Sequence, residues 1–195
     1  MESDLKSYMR IISGKSKGKK INFLKTFTTR PLKDSVRESI FNIITHSNLF
    51  NINLEKTNVL DLYSGFGSFG LECLSRGANN ITFIEKDKTV AKILKKNLIS
   101  LSSQEKAIVI INEIEQFLDR EKLEKFEIIF LDPPFKENTY LDVLKNIKKK
   151  KIFKKNHIVI IHREKRSNDN LNNILTPLII KQYGRSKIIF GKFLS

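Results

Sequence analysis

Between residues 57 and 162 the chain repeats one pattern: a short apolar run, a turn, then a longer amphipathic stretch. The runs are Val59-Leu60-Asp61-Leu62, Ile81-Thr82-Phe83-Ile84 and residues 107–111, 127–131 and 157–162. Several are continuous Ile, Val and Leu without the alternation of a half-exposed strand, so both of their faces must be covered. Helical stretches fall between them, near residues 69–75, 88–98, 115–118 and 140–147. This alternation predicts an α/β fold, a mostly parallel central sheet with helices on both faces. Residues 179–183 and 187–193 predict a C-terminal antiparallel hairpin, which makes seven strands.

Ahead of this core, residues 9–12 and 20–24 read as a small β-hairpin around Ser13-Gly14-Lys15-Ser16-Lys17-Gly18-Lys19. A polar linker follows. Pro31 then suits the first turn of a helix running to about residue 45, with Val36, Ile40, Ile43 and Ile44 on one face. The expected division is an N-terminal hairpin-and-helix extension over residues 1–50 and a main domain over 51–195. Two strands alone are marginal, so the hairpin must lean on the larger part.

Composition narrows the partners. The 195 residues carry 36 Lys plus Arg against 21 Asp plus Glu, a net charge of +15 that favours a polyanion. Nucleic acid is the better expectation than a membrane face. Part of the charge is compositional drift, since 28 Lys accompany only 8 Arg, 27 Ile and 17 Asn. Cys73 is alone and cannot form an intramolecular disulfide, and three histidines without a cysteine cluster argue against a metal site. With no signal-peptide core and no apolar run near the ~18 residues of a spanning helix, a cytoplasmic location and no membrane partner are expected.

Two motifs carry chemistry, and both follow predicted strands at the end where ligands collect in such sheets. In Asp61-Leu62-Tyr63-Ser64-Gly65-Phe66-Gly67-Ser68-Phe69-Gly70, Gly65 and Gly67 let the backbone turn toward a ligand and Gly70 permits close helix packing. Glu85 ends the next strand, where a carboxylate can accept from both ribose hydroxyls of a nucleoside cofactor. NAD and S-adenosylmethionine both suit such a loop. Phe66 would crowd a diphosphate, and Asp61 would favour the cationic amino-acid end of adenosylmethionine, unless it only caps the turn. Asn112-Glu113 ends the third strand, where Asn112 could pair with an adenine edge or cap the next helix. Tyr63 and Lys86, beside Asp61 and Glu85, complete the candidate cofactor set.

The second motif is Asp132-Pro133-Pro134-Phe135. Two prolines remove two N–H donors and stiffen the chain, leaving the Pro133 carbonyl aimed. A carboxylate and a carbonyl can accept both hydrogens of an exocyclic amine while Phe135 stacks on the base. That arrangement aligns the nitrogen lone pair with an electrophilic methyl group, and positioning does most of the work. No strong base is needed, so His162 reads as structural.

These motifs resemble the class I adenosylmethionine-dependent methyltransferases, and more narrowly the bacterial RsmD-like family of ribosomal RNA guanine-N2 methyltransferases. The likeness runs from Met9 to Phe193 and includes Arg10-Ile11-Ile12-Ser13-Gly14, Thr29-Arg30-Pro31, Asp34 to Asn42, Asp61 to Ala78, Glu85, Asp132 to Phe135 and Tyr183-Gly184. It implies a Rossmann-like fold, S-adenosylmethionine as cofactor with S-adenosylhomocysteine as product, and N2 of a guanine in small-subunit (16S) ribosomal RNA as target. It further implies an assembled or nearly assembled small subunit as substrate, ribosomal proteins near the target loop, and a monomeric enzyme. Asp132 to Phe135 would form the methylating site; Asp61, Gly65, Gly67 and Glu85 would line the cofactor pocket. Arg10, Lys15, Lys17, Lys19, Lys20, Arg30 and Arg37 would reach RNA and hold it over Asp132. The sequence departs from the family at Phe66, which would narrow the pocket, at Asn112, and at Ile161 before His162. Alternatives are a DNA adenine-N6 or protein glutamine-N5 methyltransferase and, outside catalysis, a basic RNA-binding module; Asp132 and Glu85 oppose the last.

Overall fold

The computed structural model describes residues 6–24, 32–135 and 138–194. Strands β1 (Lys6–Arg10) and β2 (Lys20–Leu24) pair antiparallel as the expected hairpin, and helix α1 (Asp34–His46) follows. The main unit then runs β3 (Asn58–Leu62), α2 (Ser68–Ser75), β4 (Asn80–Glu85), α3 (Lys88–Ser100), β5 (Ala107–Ile111), α4 (Ile114–Leu118), β6 (Phe126–Leu131), α5 (Tyr140–Lys150), β7 (Phe153–Glu164), β8 (Thr176–Tyr183) and β9 (Ser186–Lys192). The helix expected from Pro31 starts instead at Asp34, and Arg30 and Pro31 lie outside the described residues.

The seven-stranded sheet has the order β5-β4-β3-β6-β7-β9-β8. β3 to β7 are mutually parallel, while β9 pairs antiparallel with β7 and β8. Chain order reverses direction between β3 and β6, and the loops after those strands flank the resulting crevice. Successive strand residues face opposite sides, so Val59, Phe83, Phe130, Ile160 and Phe190 enter one apolar cluster while Leu60, Ile84, Leu131, Ile161 and Ile189 enter the other. α4 and α5 cover the second face. α1, α2, α3 and the N-terminal hairpin cover the first, with Met9, Ile11, Ile21, Ile40 and Phe41 in the same cluster as the strands. The hairpin and α1 therefore share the main core. The outermost strands are less covered: Ile108 on β5 and Ile180 on β8 are exposed.

A buried acid fastens the extension to the core. Glu72 on α2 is fully buried and accepts from the backbone N–H of Ile12 at 2.8 Å and of Ser13 at 2.9 Å, and from Arg76 Nε at 2.8 Å. Arg37 of α1, also fully buried, lies 3.8 Å from Glu72 and donates to the Arg10 carbonyl at 2.6 Å and to Asp34 at 2.9 Å. Burial lowers its pKa, and the nearby Glu72 and Asp34 charges work against that shift. Arg37 thus joins hairpin, α1 and α2, and the expectation that it reaches RNA is corrected: no part of it meets solvent.

The basic loop of the hairpin also lies elsewhere than expected. Lys15 N–H donates to the Ser75 carbonyl at 2.8 Å, Ser16 N–H donates to Ser75 Oγ at 3.0 Å, and a Cβ on Gly14 would overlap the Ser75 backbone. Lys15, Lys17 and Lys19 therefore surround the C-terminal end of α2. The glycine turn is at the helix's other end, roughly 12 Å away at 1.5 Å per residue. They do not overhang Asp132. The open end of the hairpin is the part nearest the glycine turn: Asn22 exchanges hydrogen bonds with Asn97, whose amide also donates to the Phe66 carbonyl at 3.3 Å. Lys20, exposed, stands over the Tyr8 ring at 4.1 Å.

Candidate active site

The turn after β3 is built by positive backbone angles. Tyr63 (φ +55°) adopts the left-handed region at a non-glycine residue, a conformation that costs about 1 kcal/mol, and its ring packs against the second core cluster. Gly65 (φ +54°) and Gly67 (φ +83°) continue the turn, and a Cβ on Gly67 would meet Leu94 at 2.3 Å. Gly70 is required by packing: its added Cβ would lie 2.3 Å from the Phe83 ring and 2.9 Å from Asp61 Oδ2. Phe66 does not narrow this turn as expected. Its side chain is buried and packs toward Phe23, 6.1 Å between ring centres.

The cap position of helix α2 is Gly67, which has no side chain to cap the first N–H groups. Asp61 takes that role from the strand below, with Oδ2 accepting from Gly70 N–H at 3.0 Å. Its other oxygen, Oδ1, is buried without a partner among the described residues. Burial pushes the Asp61 carboxyl well above the ordinary carboxylate range, and the charges of Asp132 and Glu85 push it the same way. Glu85 closes the turn from β4, its oxygens accepting from Gly65 N–H and Asp87 N–H, both at 2.8 Å. Each oxygen retains acceptor capacity.

The remaining cofactor candidates lie at neighbouring strand ends. Asn112 N–H donates to the Glu85 carbonyl at 3.2 Å, which sets residue 112 beside residue 85. The Asn112 side chain accepts from Glu113 N–H at 3.1 Å, while the cap position of α4 is Glu113 itself. Lys86 and Glu113, both exposed, pair at 3.6 Å across these two loops.

On the other side of β3, Asp132 N–H donates to the Leu62 carbonyl at 3.4 Å, continuing the parallel ladder one residue past β6. The register of β6 with β7 matches Phe130 to Ile160, and the same offset of 30 residues brings Asp132 to His162. His162 Nδ1 lies 2.7 Å from Asp132 Oδ1, and Nε2 lies 2.9 Å from Ser186 Oγ. A carboxylate only accepts, so Nδ1 carries the proton. Asp132 Oδ2 and the Pro133 carbonyl have no partner among the described residues. Phe135 is half-exposed, its ring edge-on to His162 at 5.4 Å.

Arg163, one residue on and so on the opposite face of β7, grips the same loop from below. Its guanidinium donates to the carbonyls of Pro134 and Phe135, each at 3.2 Å, to Asp169 Oδ1 at 2.9 Å, and stacks over the Tyr140 ring at 4.4 Å. Asp169 also receives Lys187 Nζ and Ser167 Oγ, each at 2.6 Å, and Tyr140 Oη–H at 2.7 Å. The two carbonyls beyond Pro133 are thus occupied, and among the described residues nothing donates to the Pro133 carbonyl. From sequence alone His162 has a structural role and Arg163 does not stand out. A histidine and an arginine at the end of a strand next to an acidic loop are the signal that was present.

Cys73 is buried, which raises its thiol pKa and leaves it inert. Among the described residues no group of His, Cys, Asp and Glu could hold a metal ion, and no helix is long and apolar enough to cross a membrane.

Comparison with known proteins adds a family and a fold. A family profile described as Conserved hypothetical protein 95 matches residues 9–192. The chain is 34% identical over 184 residues to ribosomal RNA small subunit methyltransferase D of Buchnera aphidicola subsp. Baizongia pistaciae, covering 93% of this chain and 88% of that protein. It is 36% identical over 162 residues to the Haemophilus influenzae protein of the same name, with 82% and 81% covered. Among solved structures it is similar to a methyltransferase of Escherichia coli, with a TM-score of 0.79, 26% identity and 96% and 98% of the two chains covered. A methylase of Haemophilus influenzae gives a TM-score of 0.77 at 32% identity, with 97% and 100% covered.

The Asp169 network predicts an acid-sensitive loop support. Burial pushes this carboxyl up, but hydrogen bonds from Lys187, Ser167, Tyr140 and Arg163 outweigh it and hold its pKa at about 2 against an ordinary 3.8. A depressed folded pKa stabilises above the unfolded value and is lost as pH falls through the folded one. Urea midpoints should therefore fall between about pH 4 and pH 2, and Asp169→Asn should start lower and show a shallower fall over that window.

Proposed function

The chain belongs to the family described as Conserved hypothetical protein 95, and from that premise we propose that it methylates small-subunit ribosomal RNA at the exocyclic N2 of a guanine. Its fold is the Rossmann-like class I methyltransferase fold, with the mostly parallel sheet and antiparallel C-terminal hairpin expected from sequence. Ribosomal RNA methylation is the coarser reading, supported by relatives named for that activity across more than four fifths of their length. The guanine-N2 target, and a small subunit in the cytoplasm as substrate, are the finer one.

The crevice suits S-adenosylmethionine. Asp61, Glu85 and Asp132 form a carboxylate cluster whose most buried member has an oxygen without a partner among the described residues, and a cationic ligand beside it relieves the mutual repulsion. When bound, this cofactor supplies an electrophilic methyl group on a sulfonium. Glu85 and Asn112 are disposed at adjacent strand ends for its nucleoside, with Gly65 and Gly67 letting the backbone approach.

The observation that carries the reading is the pair of acceptors, Asp132 Oδ2 and the Pro133 carbonyl, that have no partner among the described residues, each on a group fixed from behind. An exocyclic amine donates one hydrogen to each, which turns its lone pair out of the base plane. His162 holds Oδ1, so the carboxylate presents Oδ2 in one orientation. Arg163 holds the backbone that carries Phe135, whose half-exposed ring stacks on the base. The proton that becomes acidic as the N–C bond forms is already hydrogen-bonded to Asp132 Oδ2, which takes it and releases it to solvent. Reaching an unstacked base is required of any enzyme acting at such a position.

Transfer of labelled methyl groups to naked ribosomal RNA and to small subunits, followed by digestion to nucleosides, tests the proposal. It predicts label in N2-methylguanosine; label in a methylated adenine or in protein would overturn it. A second expectation concerns His162. An Asn amide nitrogen occupies the place of Nδ1 and a Gln amide nitrogen that of Nε2. His162→Asn should keep kcat within a few-fold, and His162→Gln should lose about 10²-fold with little change in cofactor affinity. Equal losses would mean that the bond to Asp132 does not matter.

A further inference from the structure

Beyond the Asp132–His162–Ser186 chain the sheet edge ends in two turns that carry exposed cations. Lys165 and Arg166 follow β7, and Gly184 and Arg185 join β8 to β9. The turns are tied together by Lys165 N–H donating to the Arg185 carbonyl at 2.7 Å. With Glu164 they line an open groove of about 490 Å³. Arg185 is the chain neighbour of Ser186, which is two hydrogen bonds from the carboxylate that holds the amine in the proposed site.

We propose that this groove is a phosphate-contact site for the substrate RNA strand beside the target nucleotide, a reading that rests on the RNA substrate proposed above. Its chemistry suits a backbone better than a base. Among the described residues no aromatic ring lines it, so these offer no ring for stacking. Among its described lining residues Glu164 is the one acid; it approaches Arg185 only at 3.6 Å, and the Arg185 side chain is 83% exposed, so three cations face one weakly engaged carboxylate there. A Cβ on Gly184 would meet nothing within 4 Å, which leaves room for a strand to pass. The floor beneath is rigid: Lys187, Arg163 and Asp169 pair there at 2.6 and 2.9 Å, and Lys187 also donates to the Ser167 carbonyl.

Location favours this groove over the N-terminal basic loop as the contact nearest the chemistry. Lys15, Lys17 and Lys19 are exposed but sit at the far end of α2. The groove opens at the end of the sheet where β7 brings His162 to Asp132.

The double variant Arg166→Glu with Arg185→Glu tests the site through two readouts. Direct binding of a ribosomal RNA fragment, titrated with salt, should weaken, and the slope of log affinity against log salt should fall by about 1.4 to 1.8, corresponding to two lost phosphates. In methyl-transfer assays KM for RNA should rise while kcat at saturating RNA and cofactor affinity stay unchanged. The milder Arg166→Gln with Arg185→Gln variant should show the same direction, and a Lys15, Lys17 and Lys19 charge reversal should leave kcat/KM closer to wild type than the Arg166 and Arg185 pair does. An unchanged salt slope and KM in the glutamate pair would overturn the assignment. If wild type transfers no methyl to RNA, the function fails; a reduced salt slope in the pair would still support the groove, since binding is read independently of turnover.

Discussion

Like charge gathered at one edge of the sheet is the constraint around which the site is arranged. β4, β3 and β6 are neighbours, and Glu85, Asp61 and Asp132 lie at or beside their carboxyl ends. Such a cluster is costly in a low-dielectric interior unless donors meet it. The fold meets it with backbone and one side chain. Gly70 N–H at the start of α2 serves Asp61, Gly65 and Asp87 N–H serve Glu85, and His162 serves Asp132. What these donors leave unmet, Asp61 Oδ1 above all, matches a cationic cofactor.

Each donor depends in turn on packing further out. Gly70 lies close enough to Asp61 because Phe83 leaves no room for a side chain there. α2 itself is clamped at its middle by Glu72, which collects the backbone of Ile12 and Ser13 after β1, Arg37 and Arg76. On the other side of the crevice, Arg163 joins the carbonyls after Pro133 to the Asp169 network beneath the sheet. Removing one partner from a buried pair of this kind leaves a charge without compensation, a loss of about 3 to 5 kcal/mol. The two buried arginines, Arg37 and Arg163, thus serve the site without entering it.

Much of this was legible in the sequence, for reasons that are local. Apolar runs without alternation located the parallel strands because burial on both faces leaves that mark. The glycine turn and Asp132-Pro133-Pro134-Phe135 were readable because positive angles and missing N–H groups are properties of single residues. The rest depended on register and on docking. Asp132 meets His162 only because Phe130 pairs with Ile160, an alignment that residue spacing does not reveal. Its charge alone suggests a surface role for Arg37, but Phe41, four residues on, shares its buried helix face, and that spacing is the signal of burial. The chain position of the basic loop ahead of the core suggests cations that hold RNA over Asp132, whereas its seat on Ser75 is set by tertiary contact.

The central claim is that Asp132 acts on the target amine and not on the cofactor. Single-turnover methyl transfer by Asp132→Ala, measured together with calorimetric cofactor binding, tests this most directly. The account predicts cofactor affinity within a few-fold of wild type and methyl transfer slowed by about 10³-fold or more, the scale of a lost positioning and electrostatic contact. A variant that binds the cofactor poorly yet turns over normally when saturated with it would contradict the account.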